Sequence, residues 1–372
     1  MSVASQIKEI DIMAFKKPSV NKTVATLNKL RIYMRATAKF GKSSAFRNIV
    51  LNEYNDPEKG LLVGVGNEIG YTLLSDLNAT QVESWRDMIE LQKWLIKEKG
   101  KEHNIELIAF DTVDELIPLA EKEVIRLSTV STGKPCDSIN KAYGGYGSGQ
   151  AKVKELIKDY FTTLYKAGFG IFCISHTKVK NIVQKGYEDS EGYMVLSSNI
   201  ANTYNNIFED MFDCVLTGMV DRDVTDGKVE STTRKLYFRS NNFVEAGCRF
   251  GDSVPEYMTF DGDPRECARE LVEILKEGLK QSSGLSDVEF KEQVKKEKEQ
   301  LEKDAEEVVK ELEKAEIEED KETMKELINQ LKDKSKDSKN KQILMKCIKE
   351  SGKSKVSDLT LDEIKNILDK LN

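Results

Sequence analysis

Between Thr23 and Glu277 short apolar runs alternate with longer amphipathic stretches. Leu30 to Met34, Gly60 to Val65, Ile105 to Phe110 and Phe169 to Ile174 are runs of strand length, the last almost wholly apolar. Val82 to Lys97 shows helical spacing through Trp85, Met88, Ile89, Leu91, Trp94 and Leu95, and Val153 to Ala167 reads as a second helix. Apolar strands separated by helices are buried on both faces, which predicts an α/β core with a mostly parallel sheet. Asp213 to Thr217 and Arg234 to Arg239 read as further strands, and Asp226-Gly227 between them is a turn signal for an antiparallel hairpin at one edge.

At Ser282-Ser283-Gly284 the pattern breaks. From Ser286 to Lys341 Glu and Lys dominate, with sparse apolar positions such as Val294, Leu301, Val308, Leu312 and Leu331. That spacing predicts a long solvated helix or helical hairpin, with an irregular heptad open to a coiled coil. Ile343, Leu344, Ile348, Leu359, Ile364, Ile367 and Leu368 then suffice for a tiny helical module, whose last helix starts at a Thr360-x-x-Glu363 capping box. The predicted division is a basic arm at 1–22, the core at 23–280, the charged segment at 285–340 and the module at 341–372.

The chemistry begins at the end of the first strand. Ala36-Thr37-Ala38-Lys39-Phe40-Gly41-Lys42-Ser43 has the G-x-x-x-x-G-K-[ST] spacing with Ala at the first glycine, and Ser44 to Leu51 continues as a helix. Such a loop turns its amides toward a β-phosphate and adds the positive end of the helix that starts at Ser43-Ser44. Lys42 would reach the β- and γ-phosphates of ATP and the Ser43 hydroxyl would bind Mg²⁺. Ala at position 36 is compatible with this if its φ is negative. Asp111, at the tip of the apolar strand from Ile105, is the first choice for the carboxylate opposite Ser43, with Asp114 a candidate cap for the next helix. Glu68 lies just beyond the second strand, where it would activate a water or else be a surface turn residue. His176 closes the fourth strand, as a γ-phosphate sensor or as a strand-end residue without a role.

Charge changes the picture locally. The chain has a net charge of −7 over 372 residues, yet its first 50 residues carry ten Lys or Arg against Glu9 and Asp11. That arm suits phosphates, or is simply a solvated terminus. Six cysteines contain no C-x-x-C pair, so a zinc site of standard spacing is not expected. There is neither an 18-residue apolar run nor an apolar N-terminal leader, so the expected place is the cytoplasm and no membrane partner is expected.

The order of these motifs resembles a known family. The AxxxxGKS loop, Glu68-Ile69-Gly70-Tyr71, Trp85, Phe110 to Leu116, Gly144-Gly145-Tyr146-Gly147, Ile174 to Lys178, Ala246 to Gly251 and Pro255-Glu256 are similar to phage-encoded AAA ATPases, RecA-like recombination proteins that bind and anneal single-stranded DNA. The resemblance spans roughly Thr23 to Asp263 and omits the tail. It implies a RecA-like P-loop core, ATP and Mg²⁺ held between protomers of a ring or filament, and Arg239 or Arg249 reaching a neighbour's γ-phosphate; Arg249 paired with Glu245 is the alternative. DNA would lie along the Gly-rich loop with Tyr143 and Tyr146, and along Lys178, Lys180 and Lys185, although Glu188, Asp189 and Glu191 follow at once. A different expectation competes with it: a nucleotide-gated oligomeric scaffold, slow in turnover, that recruits a protein partner through its helical tail.

Overall fold

The computed structural model describes residues 26–183 and 192–371. The core is one sheet built from β1 (Arg31–Ala36), β2 (Gly60–Val65), β3 (Asn78–Val82), β4 (Leu107–Asp111), β5 (Gly170–Ile182), β6 (Tyr193–Ser198), β7 (Cys214–Thr225), β8 (Lys228–Tyr237), β9 (Gly247–Cys248) and β10 (Tyr257–Thr259). Across it the order is β10-β8-β7-β1-β5-β4-β2-β3, with β6 paired to β5 and β9 to β7. The neighbours from β7 through β1, β5, β4 and β2 to β3 are all parallel, and the antiparallel pairs sit toward the β7–β10 side or beyond the sheet's top. β5 therefore separates the loop-bearing β1 from the acid-tipped β4. This is the α/β architecture that the apolar runs predict.

The helices are α1 (Lys42–Tyr54), α2 (Trp85–Lys97), α3 (Val113–Thr132), α4 (Ser148–Lys166), α5 (Asn202–Met211), α6 (Pro264–Ser283), α7 (Asp287–Lys334), α8 (Ser338–Glu350) and α9 (Leu361–Lys370). They cover both faces of the sheet, giving two apolar cores. One gathers Tyr33, Phe110, Phe161 and Phe208 against α2, α3, α4 and α5. The other gathers Met34, Phe46, Phe172 and Leu275 against α1 and α6. Each fully buried Phe stabilises by roughly 1.5–3 kcal/mol, and Phe110 of β4 and Phe172 of β5 enter opposite cores, as strands buried on both faces require. The stretch from Val82 to Lys97 divides: Val82 ends β3, and Ser84 caps α2 through a box with Asp87. β5 and β7 run well past their apolar halves because β6 and β8 pair with the extensions and satisfy their backbone groups.

The tail is one helix of 48 residues, not a hairpin. Leu301 and Val308 are buried and Leu312 packs beside Val308 against the first core, so this apolar seam is covered by the chain's own core rather than left for a second helix. Glu297 accepts from the Thr26 amide at 2.9 Å, and Glu316 pairs with Lys93 and Lys97. The final module has its own core, which takes Met324, Leu327 and Leu331 from α7 as well as residues of α8 and α9. It therefore begins before residue 341, because two short helices need the end of α7 to close a core. The Thr360–Glu363 capping box forms.

Candidate functional site

β1 delivers the chain to the loop at Ala36, which is fully buried and still part of the strand. Its backbone is extended, so alanine fits where a glycine is usual. Room for the methyl comes from β7: a Cβ on Gly218, the register partner of Ala36, would lie 2.7 Å from the Ala36 Cβ. Thr37 and Ala38 begin the turn, Lys39 follows with φ 64°, and Gly41 precedes α1 with φ 106°. No side chain caps α1. The amides of its first turn, including those of Ser43 and Ser44, are thus presented to an anionic ligand. Phe40 is buried and stacks on Phe260 at 5.3 Å, which fixes the loop from beneath.

Lys42 is buried, and its Nζ donates to the carbonyls of Ala36 at 3.0 Å and Thr37 at 3.1 Å. Burial pulls its pKa down, opposed by the charges of Asp111, Asp114 and Glu68. The Ser43 hydroxyl donates to Asp111 Oδ2 across the gap between α1 and β4. Burial pushes the Asp111 carboxyl up, while the Ser43 hydrogen bond pulls it down. A hydroxyl and a carboxylate meeting beside an uncapped helix N-terminus are the donor set a Mg²⁺–phosphate group takes.

Glu68 stands on the turn after β2, where its Oε1 accepts from the Gly70 amide at 3.2 Å, and its charge acts on both Lys42 and Asp111. His176 continues β5 beside Ala36. Its amide donates to Asp114 Oδ2 at 3.1 Å, and its Nδ1 lies 3.7 Å from the same oxygen. Asp114 does not cap α3; the N-cap is Thr112. Burial pushes Asp114 up, but hydrogen bonds from His176 and Ser175 outweigh it and hold the carboxyl below its usual value. Asp114 thereby ties α3 to the end of β5. Lys42, Ser43, Asp111, Glu68 and His176 converge on one end of the sheet.

The two arginines do not join them within the chain. Arg249 pairs with Asp213 at 3.0 Å, not with Glu245, and donates to the Asp210 carbonyl at 2.8 Å. Asp213 also holds Arg31, at the start of β1 and the far end from the loop. Arg239 is exposed beyond β8. The arginine that does touch the loop is one to which no motif points. Arg234 of β8 donates from Nη1 to the Phe40 carbonyl at 3.1 Å and from Nε to Asp261 at 2.8 Å. A strand residue so distant in the chain has no sequence signal linking it to the loop. Arg35 is also functional-looking only in three dimensions: 1% exposed, it binds Thr217, Glu209 and the Glu245 carbonyl.

The residues expected to meet DNA divide as well. Tyr146 is fully exposed at the tip of the Gly-rich loop, whereas Tyr143 packs against the first core. Lys178 is exposed, Lys180 donates to the Ile200 carbonyl and Asn202, and Lys185 lies outside the described residues.

An uncapped helix after a strand-end loop, with a Ser–Asp pair and one strand inserted between their two strands, is the arrangement of a P-loop nucleotide-binding fold. The chain belongs to the AAA domain family, whose model matches residues 28–250. No curated protein matches it. Among solved structures, a KaiC-like protein from the hyperthermophilic archaeon Pyrococcus horikoshii is similar at 10% identity, over 64% of this chain and 88% of that one, with a TM-score of 0.35. Among the described residues no helix is long and apolar enough to cross a membrane.

Proposed function

We propose that this protein binds ATP with Mg²⁺, hydrolyses it, and acts on single-stranded DNA in phage recombination or replication. The observation that carries the ATPase part is the contact of Ser43 with Asp111 beside the buried Lys42, with Glu68 near enough for its charge to act on Asp111. Bound Mg²⁺ would supply neutralisation of phosphate charge. Lys42 would hold the β- and γ-phosphates, and the first-turn amides of α1 would orient them. Glu68 would position a water and take its proton, and His176 would sense the end of the phosphate chain through the bond that Asp114 makes to its backbone. The DNA part is supported by the exposed Tyr146 on a glycine-rich turn and by the exposed Lys178. Assembly into a ring or filament would let Arg239 or Arg249 of one copy approach the loop of the next.

A scaffold reading is favoured by one observation, the separate apolar core at the end of the tail. In that reading ATP gates assembly, turnover is slow and the tail recruits a protein. Hydrolysis measured with Mg²⁺, with and without single-stranded DNA, and in Lys42→Ala, separates the two. Turnover raised by DNA and abolished in Lys42→Ala is the expected result. ATP binding with no turnover under any condition would replace it with the scaffold.

A further inference from the structure

The tail changes sign along its length. Between Asp287 and Glu326 seventeen acids stand against nine lysines, but between Lys332 and Lys355 nine lysines stand against three acids. The acidic part is the shaft that docks on the core. The basic part lies on the end of α7, on α8 and on the turn that follows, around the separate core of Leu331, Leu344, Leu359 and Ile364. A charge excess of this size on an acidic chain is a local electrostatic feature and not a property of the whole.

The placement makes it a surface. Leu344 turns inward on α8, while Lys346 and Lys349, three residues apart, are exposed, as are Lys353 and Lys355 just after the helix. Among the described residues Lys349, Lys353 and Lys355 make no ion pair, and Lys346 reaches Glu350 only at 3.9 Å. Beyond Glu316, which still pairs with Lys93 and Lys97, α7 runs on to Lys334, about 27 Å at the helical rise. The lysines thus lie past the ion pairs that tie α7 to α2.

The patch also lacks something. No Phe, Tyr or Trp occurs from Lys332 to Lys355. Single strands are gripped by stacking bases on aromatic rings, whereas a duplex offers only phosphates to a surface that does not read its grooves. We propose that this lysine tip binds the phosphate backbone of double-stranded DNA without reading sequence, as a site separate from the nucleotide site and from the loop bearing Tyr146. The inference does not rest on the ATPase reading, because the tip shares no residue with it.

The test uses the full chain without nucleotide. Fluorescence anisotropy follows a labelled short duplex, oligo-dT and phosphatidylserine vesicles between about 50 and 200 mM salt. In a protein carrying Lys346→Gln, Lys349→Gln, Lys353→Gln and Lys355→Gln, duplex affinity falls at least tenfold. The plot of log affinity against log salt becomes shallower by up to about 3.6, roughly 0.9 for each phosphate no longer neutralised by a lysine. The matching four Lys→Arg changes keep both, and neither set alters ATP turnover. A Gln protein that binds duplex as the wild type does overturns the proposal. So does a wild type that binds only oligo-dT, only vesicles, or none of the three.

Discussion

Asp111 is caught between two demands. Burial holds its pKa above the ordinary value, while the Ser43 hydroxyl favours its charge. A carboxyl whose folded pKa exceeds its unfolded value favours folding when protonated, and that contribution fades as pH rises through the folded value. At neutral pH the ionised Asp111 therefore costs stability. Asp111→Asn is expected to keep or raise Tm at pH 7, because the amide removes a buried charge and still accepts from Ser43. Mg²⁺-dependent turnover should fall by more than about 100-fold, a drop of the size expected for one electrostatic stabiliser. A Tm several degrees lower would show that the charged hydrogen bond outweighs burial. Glu68→Gln tests a different role: kcat should drop about 10²–10⁴-fold with ATP affinity unchanged, as expected when a general base is removed. Unchanged turnover would return Glu68 to the status of a turn residue.

At the scale of elements, the turn after β2 shows how packing fixes the place of a side chain. A Cβ on Gly64 would stand 2.5 Å from Tyr71 Cε1 and 2.6 Å from the Glu68 carbonyl oxygen. The turn folds back on its own strand only because that position is glycine. Gly64→Ala should push the turn outward, lowering kcat through Glu68 while leaving ATP affinity intact, since the loop at Lys42 belongs to β1 and α1. The overpacking should also cost about 1–3 kcal/mol. Equilibrium ATP binding and turnover on the same preparation check this; weakened binding with an unchanged kcat would contradict it. The Glu68 position is readable from the strand before it, but the need for glycine at 64 is not, because Tyr71 and the Glu68 carbonyl meet it only when the turn closes.

Across the whole molecule, two apolar cores sandwich the sheet and a third lies at the end of α7. A core as small as the third has little stability in reserve. Leu331 is fully buried there, and Leu331→Ala removes packing worth about 2–5 kcal/mol. The expected outcome is loss of amide protection from α8 and α9 in hydrogen exchange, with the sheet and its ATP turnover unaffected. If protection across β1 and β4 fell together with that of α8, the molecule would be one cooperative unit instead of two.

Strand positions, the P-loop and the acid at the tip of β4 are legible in the sequence, because each depends on residues close in the chain: an unbroken apolar run, a fixed spacing, a carboxylate at a strand end. The hairpin turn at Asp226-Gly227 and the capping box at Thr360 are legible for the same reason. The tertiary structure decided what depends on residues far apart. It put Arg234 on the Phe40 carbonyl, gave Arg249 to Asp213, and closed Gly218 against Ala36. It also turned the seam of α7 inward: sparse apolar positions along a helix specify that one side is covered, and only the shape of the core beside it specifies by what.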